Sequence, residues 1–353
     1  MSSINQGLFT PYPVNRLLTK QEKIDRLYQG KPHPEGSLVH DDDTVIKMNS
    51  TYLETIDRYY TVKGFASLLC FGMAIGFLVC LIWFISICFN QHVLQDEPLD
   101  SDEVYLILFY VIGLFLMICI CLKIVLKEWF RKTHYPIRFN RKNKMVYIYQ
   151  VDGTILSVPW SDIFFTPCEG KFGMPGWGIN GHILADDKET VLKTFSLGFF
   201  DLRYNLSGYW EFIRCYMEED VLDELSKTIF LCPPIAEQKE SYIFGLQYSI
   251  RGGSKFNWLH QFPLFPYSVL EAVARYVATQ TSKIPQWPED VEKACQVMPD
   301  DPIDVSYKNN SPHLWRYVFS CLKKKDYLKF YKQKGLAVRR IRRKVARRHK
   351  TLE

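Results

Sequence analysis

FASLLCFGMAIGFLVCLIWFISICF, Phe65–Phe89, runs for twenty-five positions without a charged residue. A second run, VYLILFYVIGLFLMICICL at 104–122, follows a short polar connector, and three apolar residues beyond Lys123 carry it to 126. About twenty apolar residues cross a hydrocarbon core of about 30 Å, so both runs read as transmembrane helices, with spans at 65–89 and 104–126. A long polar leader precedes the first run, whereas a cleaved signal sequence begins near the N-terminus. No acid, arginine or histidine lies inside either span, which points to an anchor and away from an ion or proton pathway. Gly72 and Gly76 have the spacing of a helix-contact face.

Flanking charge sets the expected orientation. The connector at 90–103 holds five acids and no Lys or Arg. Lys47, Arg58 and Lys63 precede the first span, and Lys123, Lys127, Arg131, Lys132, Arg138, Arg141, Lys142 and Lys144 follow within or beyond the second. Both termini are therefore expected in the cytoplasm, with the acidic loop on the far side.

The net charge of +6 conceals an asymmetry. The stretch 321–353 carries fourteen Lys or Arg against two acids, and VRRIRRKVARRHK at 338–350 alone carries eight. Without that tail the protein would be acidic. The ten cysteines show no C-x-x-C spacing and half fall in the apolar runs, so neither a zinc site nor a disulfide framework is suggested. The eight histidines show no H-x-H or H-E-x-x-H spacing, and no metal or cofactor is expected.

Five regions follow: a cytoplasmic segment 1–63, the hairpin 64–126, a β-rich domain 127–231, an aromatic helical region 232–320 and the basic tail 321–353. In the first, LTKQEKIDRLYQG reads as a short helix ending at Gly30. Tyr52, Leu53, Ile56, Tyr59 and Tyr60 have helical spacing and extend the first span inward. After the second span the period changes to two: YPIRFNR, KMVYIYQ, TILSVPW and IFFTPC read as strands, with Asp152-Gly153 marking a hairpin. GKFGMPGWGINGH reads as a glycine-rich loop, and HILADDKETVLKTFSL as a further hairpin. In GYWEFIRCYMEEDVLDEL, residues Tyr209, Phe212, Ile213, Tyr216 and Met217 make one apolar helix face. The fold class is α+β: a transmembrane hairpin followed by a cytoplasmic antiparallel sheet domain with amphipathic helices. The segment 258–278, interrupted by Pro263 and Pro266, reads as a helix on the inner leaflet or packed under the anchor. A plain core helix fits it equally well.

No catalytic constellation is visible. The glycine-rich loop lacks the G-K-[ST] of a P-loop, and RGGSKF lacks the G-x-S-x-G elbow of a hydrolase. Loops of this kind bind partners, and Lys171, Phe172, Met174, Trp177, Asn180 and His182 are the expected contact surface. In the tail, Val338, Ile341 and Val345 form a narrow apolar stripe, as in a surface helix. Each basic residue near an anionic leaflet contributes on the order of 1 kcal/mol. Arg339, Arg340, Arg342, Arg343, Lys344, Arg347 and Arg348 are thus expected on lipid headgroups. No base-reading module accompanies them, so nucleic acid is not expected.

MNSTYLETIDRYYTVKG, PIRFNRKNKMVY, VPW at 158–160, GYWEFIRCYME and TSKIPQWPEDVE together resemble bacterial two-span inner-membrane proteins of unknown function encoded beside type VI secretion genes. The resemblance covers about residues 41–296 and leaves out the basic tail. It implies an inner-membrane accessory or immunity protein binding a secretion effector through its cytoplasmic domain. It implies no reaction and no oligomeric state. The competing reading is a membrane-surface scaffold that binds anionic lipid through the tail.

Overall fold

The computed structural model describes residues 11–32, 38–95, 98, 100–170, 176–253, 258–310 and 324–350. The chain begins with β1 (Arg16–Leu17), α1 (Lys20–Ile24), β2 (Val45–Met48), β3 (Tyr52–Thr55) and α2 (Arg58–Thr61), then the long helices α3 (Phe65–Phe89) and α4 (Ser101–Glu128). Six strands follow before the next α-helix, the first five being β4 (Ile137–Asn140), β5 (Met145–Tyr149), β6 (Ile155–Pro159), β7 (Ile163–Glu169) and β8 (Trp177–Leu184). Next come β9 (Thr190–Ser196), α5 (Arg203–Glu218), α6 (Leu222–Ser226), α7 (Tyr242–Gly253), α8 (Trp258–Thr281), α9 (Glu289–Ala294), β10 (Val305–Ser306) and α10 (Lys324–Lys350).

Two antiparallel sheets organise these strands, one in the order β10-β2-β3-β4-β5-β6 and the other β1-β9-β8-β7. β3 and β4 are direct neighbours, with Tyr52 opposite Asn140 and Thr55 opposite Ile137. The two long helices are therefore an insertion between adjacent strands of one sheet. The segment before them is not a separate unit, because it supplies β1, β2 and β3.

This overturns the helical reading at Tyr52 and Leu53, while Tyr59 and Tyr60 do lie in the short helix α2. Tyr52–Thr55 is a strand in which all four residues are buried. Asn49 makes the turn that starts it, its side-chain oxygen accepting from the backbone of Thr51 (2.9 Å) and Tyr52 (2.8 Å). Asp57, accepting from the Tyr59 N–H at 3.0 Å, then caps α2. The N-terminal helix also stops early, at Ile24 and not Gly30: Thr19 and Glu22 form a capping box, and Leu27 pairs with Phe165 instead.

The strands read after the second helix are present, and Gly153 turns the β5–β6 hairpin at φ 90°. The glycine-rich stretch, expected as a loop through His182, is strand from Trp177 onward. Its glycines make room for side chains from elsewhere: a Cβ at Gly178 would strike the Arg58 guanidinium, and one at Gly181 the Phe195 ring. The core lies between the sheets and under α5. Tyr209, Phe212, Ile213, Tyr216 and Met217, the anticipated face, are fully buried, and Trp210 stacks on Trp160 at 5.7 Å between centroids.

α3 and α4 pack through Cys70, Ala74, Cys121 and Val125, and both are long and apolar enough to cross a membrane. Gly72 and Gly76 are not in that seam, for a Cβ on either would meet nothing within 4 Å. The outer faces of both helices are exposed and apolar, with Leu78, Ile82, Trp83, Phe109, Ile112 and Phe115 among them. α8 packs against both α7 and α3, and α10 lies on α6.

Candidate functional site at the base of the hairpin

The chain enters α3 and leaves α4 through a buried polar cluster. The Glu128 carboxylate accepts from the backbone N–H of Gly64 (2.7 Å) and Ser67 (2.8 Å), and from the Ser67 hydroxyl. It thereby satisfies orphan donors at the α3 N-terminus, where the helix dipole favours a negative charge. Lys63 donates to the carbonyls of Lys132 (3.0 Å) and Thr133 (3.1 Å). Burial brings its ammonium down to about 8. Arg275 of α8 forms a two-pronged pair with Glu240 at 2.9 and 2.8 Å and donates to the Tyr60 carbonyl at 2.8 Å. Its guanidinium lies 4.4 Å from the rings of both Tyr60 and Tyr248, and the Tyr60 hydroxyl donates to Glu240. Four elements distant in sequence are thus fastened at one point.

Beside this cluster a cleft of about 420 Å³ opens between β4–β5 and β9. Tyr12, Tyr59, Tyr135 and Tyr149 line it, with Asp57, Arg131, Gln150, Val151 and Ser196. Burial drives the Asp57 carboxyl up to about 6, against the backbone N–H groups of Tyr135 and Tyr59 that favour its charged form. Burial likewise raises Tyr12 and Tyr59 above the ordinary phenol value. At neutral pH these hydroxyls are uncharged donors and acceptors, suited to holding a polar group and ill-suited to attacking one. The Tyr12 hydroxyl lies 2.6 Å from Ser196 Oγ, which donates to Asn180 Oδ1 at 2.5 Å. Arg58, fully buried behind them, reaches Cys168 Sγ at 2.9 Å. Sequence patterns gave no sign of this cleft, because its lining comes from five separated stretches.

The anticipated contact residues do not form one surface. Lys171, Phe172 and Met174 lie outside the described residues. Trp177 is half-buried, with the Arg203 guanidinium 4.6 Å over its ring. Asn180 and His182 differ from that expectation, since both are buried on the face of β8 turned away from the main core, toward Arg58 and Glu22 respectively. His182 bridges Thr166 at 3.1 Å and Thr194 at 2.9 Å, and burial lowers its imidazole to about 4. A partner on the surface reaches neither.

The tail residues also differ from expectation. Val338, Ile341 and Val345 are buried against the protein itself, with Ile341 and Val345 in the main core. Lys344 pairs with Glu224 at 2.9 Å, and Arg348 with Glu219 at 3.0 Å. Glu219 also holds the fully buried Arg214 at 2.8 Å. Arg348 further donates to the Glu218 carbonyl at 2.7 Å. Glu218 accepts from Trp160 at 2.7 Å, and the Trp160 backbone is tied to Lys144 at the β4–β5 turn. That turn is the end of the sheet opposite the hairpin. Arg339, Arg340, Arg342, Arg343 and Arg347 lie on the outer side of α10.

Among the described residues no group of three or more His, Cys, Asp or Glu is placed to hold a metal ion. A model for a family of unknown function, DUF6708, matches residues 114–299, a little over half the chain. No curated protein and no solved structure matches.

Proposed function

The chain belongs to the family of unknown function DUF6708, and from that premise we propose that it is a membrane-anchored binding protein. In this reading the hairpin spans a bacterial inner membrane with both termini in the cytoplasm, and the cleft at its base receives a protein partner. The resemblance noted above makes that partner a type VI secretion effector, and the role immunity or accessory. The supporting observation is the insertion of the hairpin between neighbouring strands and its fastening through Glu128, Lys63 and Arg275. A cleft so close to the fastening keeps one orientation relative to the anchor. Pre-organisation of that kind favours recognition, because less freedom is lost on binding.

The competing reading, a scaffold that holds anionic lipid through the tail, draws less support. Two of its expected contacts, Lys344 and Arg348, are engaged by Glu224 and Glu219, and the end of α10 lies away from the hairpin.

Affinity capture of the tagged full chain from its own cells in mild detergent tests the proposal. Recovery of a secretion effector, lost with Val151→Arg in the cleft and kept with Arg339→Glu on α10, supports it. Capture of anionic lipid alone, abolished by Arg339→Glu, overturns it in favour of the scaffold.

A further inference from the structure

We propose that α8 is a third membrane-contacting element, its outer face seated among the phospholipid acyl chains of the leaflet at which α3 begins. The inference rests on the reading of α3 and α4 as a transmembrane hairpin.

The pattern along α8 is the first support. The large exposed side chains between positions 263 and 276 are Leu264, Phe265, Tyr267, Leu270, Val273 and Tyr276. The remaining exposed positions in that stretch are prolines, Pro263 and Pro266. Its polar residues are turned inward: Ser268 and Arg275 are buried and Glu271 is half-buried. A helix in water shows the opposite arrangement, with charge outward. A contiguous apolar face of this size marks a contact with another apolar phase.

Position supplies the occupant. α8 packs against α3, and Gly64, the residue before α3, is so close that a Cβ there would lie 2.6 Å from the Arg275 backbone nitrogen. The end of α8 is tied to the end of α4, since Thr133 N–H donates to the Lys283 carbonyl at 3.0 Å and Lys283 N–H to the Arg131 carbonyl at 2.8 Å. The start of α3 and the ends of α4 and α8 therefore share one level. Lys127, Arg131, Lys132 and Lys283 gather there, a cationic set that matches anionic headgroups. α8 packs against α3 with its own apolar side chains exposed, so on this proposal the same lipid covers both.

The test uses the full chain in lipid nanodiscs, open on both faces and doped with a phospholipid bearing a diazirine on its acyl chain. After irradiation, adducts are mapped by peptide mass spectrometry. Adducts within 264–276 alongside those on α3 and α4 support the proposal, as does a severalfold loss at α8 alone with Leu270→Asp and Val273→Asp together. Adducts on α3 and α4 without any on α8 overturn it while leaving the hairpin intact. So do protein–protein cross-links from this face in undoped discs, which would make a second copy the cover. Absence of adducts from all three helices overturns the hairpin reading as well.

Discussion

Gly64 and Arg275 meet with no room between them: a Cβ on Gly64 would stand 2.6 Å from the Arg275 backbone nitrogen, and the glycine holds φ 94°. Both space and backbone conformation require glycine. In Gly64→Ala the left-handed backbone costs about 1–2 kcal/mol, and the overlap adds about 1–3 kcal/mol. Thermal unfolding of the detergent-purified protein should show a clear drop in Tm, and an unchanged Tm would disprove the close packing.

Glu240 and Arg275 form a buried pair with side chains 1% and 2% exposed. Glu240→Ala leaves the guanidinium uncompensated and should destabilise by about 3–5 kcal/mol. Adding Arg275→Met to that variant should recover part of the loss, because the stranded charge is removed. A double variant no better than the single would show that Arg275 is held by its Tyr60 and carbonyl contacts alone.

His182 ordinarily titrates at 6.5 and is brought to about 4 by burial. Between those values the unfolded chain binds a proton that the folded chain refuses, so stability falls on acidification by about 1.4 kcal/mol per pH unit from this group. His134, lowered to about 3 by burial, acts in the same sense. Asp57, raised to about 6, acts in the opposite sense below that pH. The difference in Tm between wild type and His182→Gln, measured from pH 7 to 5, isolates the first contribution. It should shrink steadily as the pH falls, and a constant difference would refute the assignment.

Ile341 is 1% exposed where α10 meets the core. Ile341→Asp should release α10, since an unpaired carboxylate would otherwise be buried. Limited trypsin digestion is expected to trim the variant rapidly within 339–348 and leave the sheets intact, while wild type resists there. Equal digestion of the two would refute docking of the helix.

What the sequence disclosed and what it hid divide by range. Two apolar runs, the Asp152-Gly153 turn and the apolar face of α5 are local signals, and each corresponds to the element it implied. Tyr52–Thr55 failed because Tyr52, Leu53, Ile56, Tyr59 and Tyr60 suit a helix equally well, and pairing with Ile137–Asn140 decides for the strand. Gly178 and Gly181 suggested a loose loop, yet they are required by Arg58 and Phe195 from other elements. The tail showed its helical stripe plainly. Its partners, Glu219 at the end of α5 and α6 with Glu224, are more than a hundred residues away and left no trace in any window. The cleft was hidden for the same reason.

The place of the hairpin has a consequence for biogenesis. β3 leaves the ribosome before both long helices and β4 after them, yet Thr55 and Ile137, 82 residues apart, are partners. On the proposed reading of α3 and α4 as membrane spans, the sheet closes only if the intervening chain returns to the side from which it departed, which demands an even number of crossings. A chain that inserted one helix and not the other would leave β2 and β3 on one side and β4 through β9 on the opposite side. On that proposed reading, completion of the sheet would act as a checkpoint on insertion, and a chain that fails it would present unpaired strand edges to proteolysis.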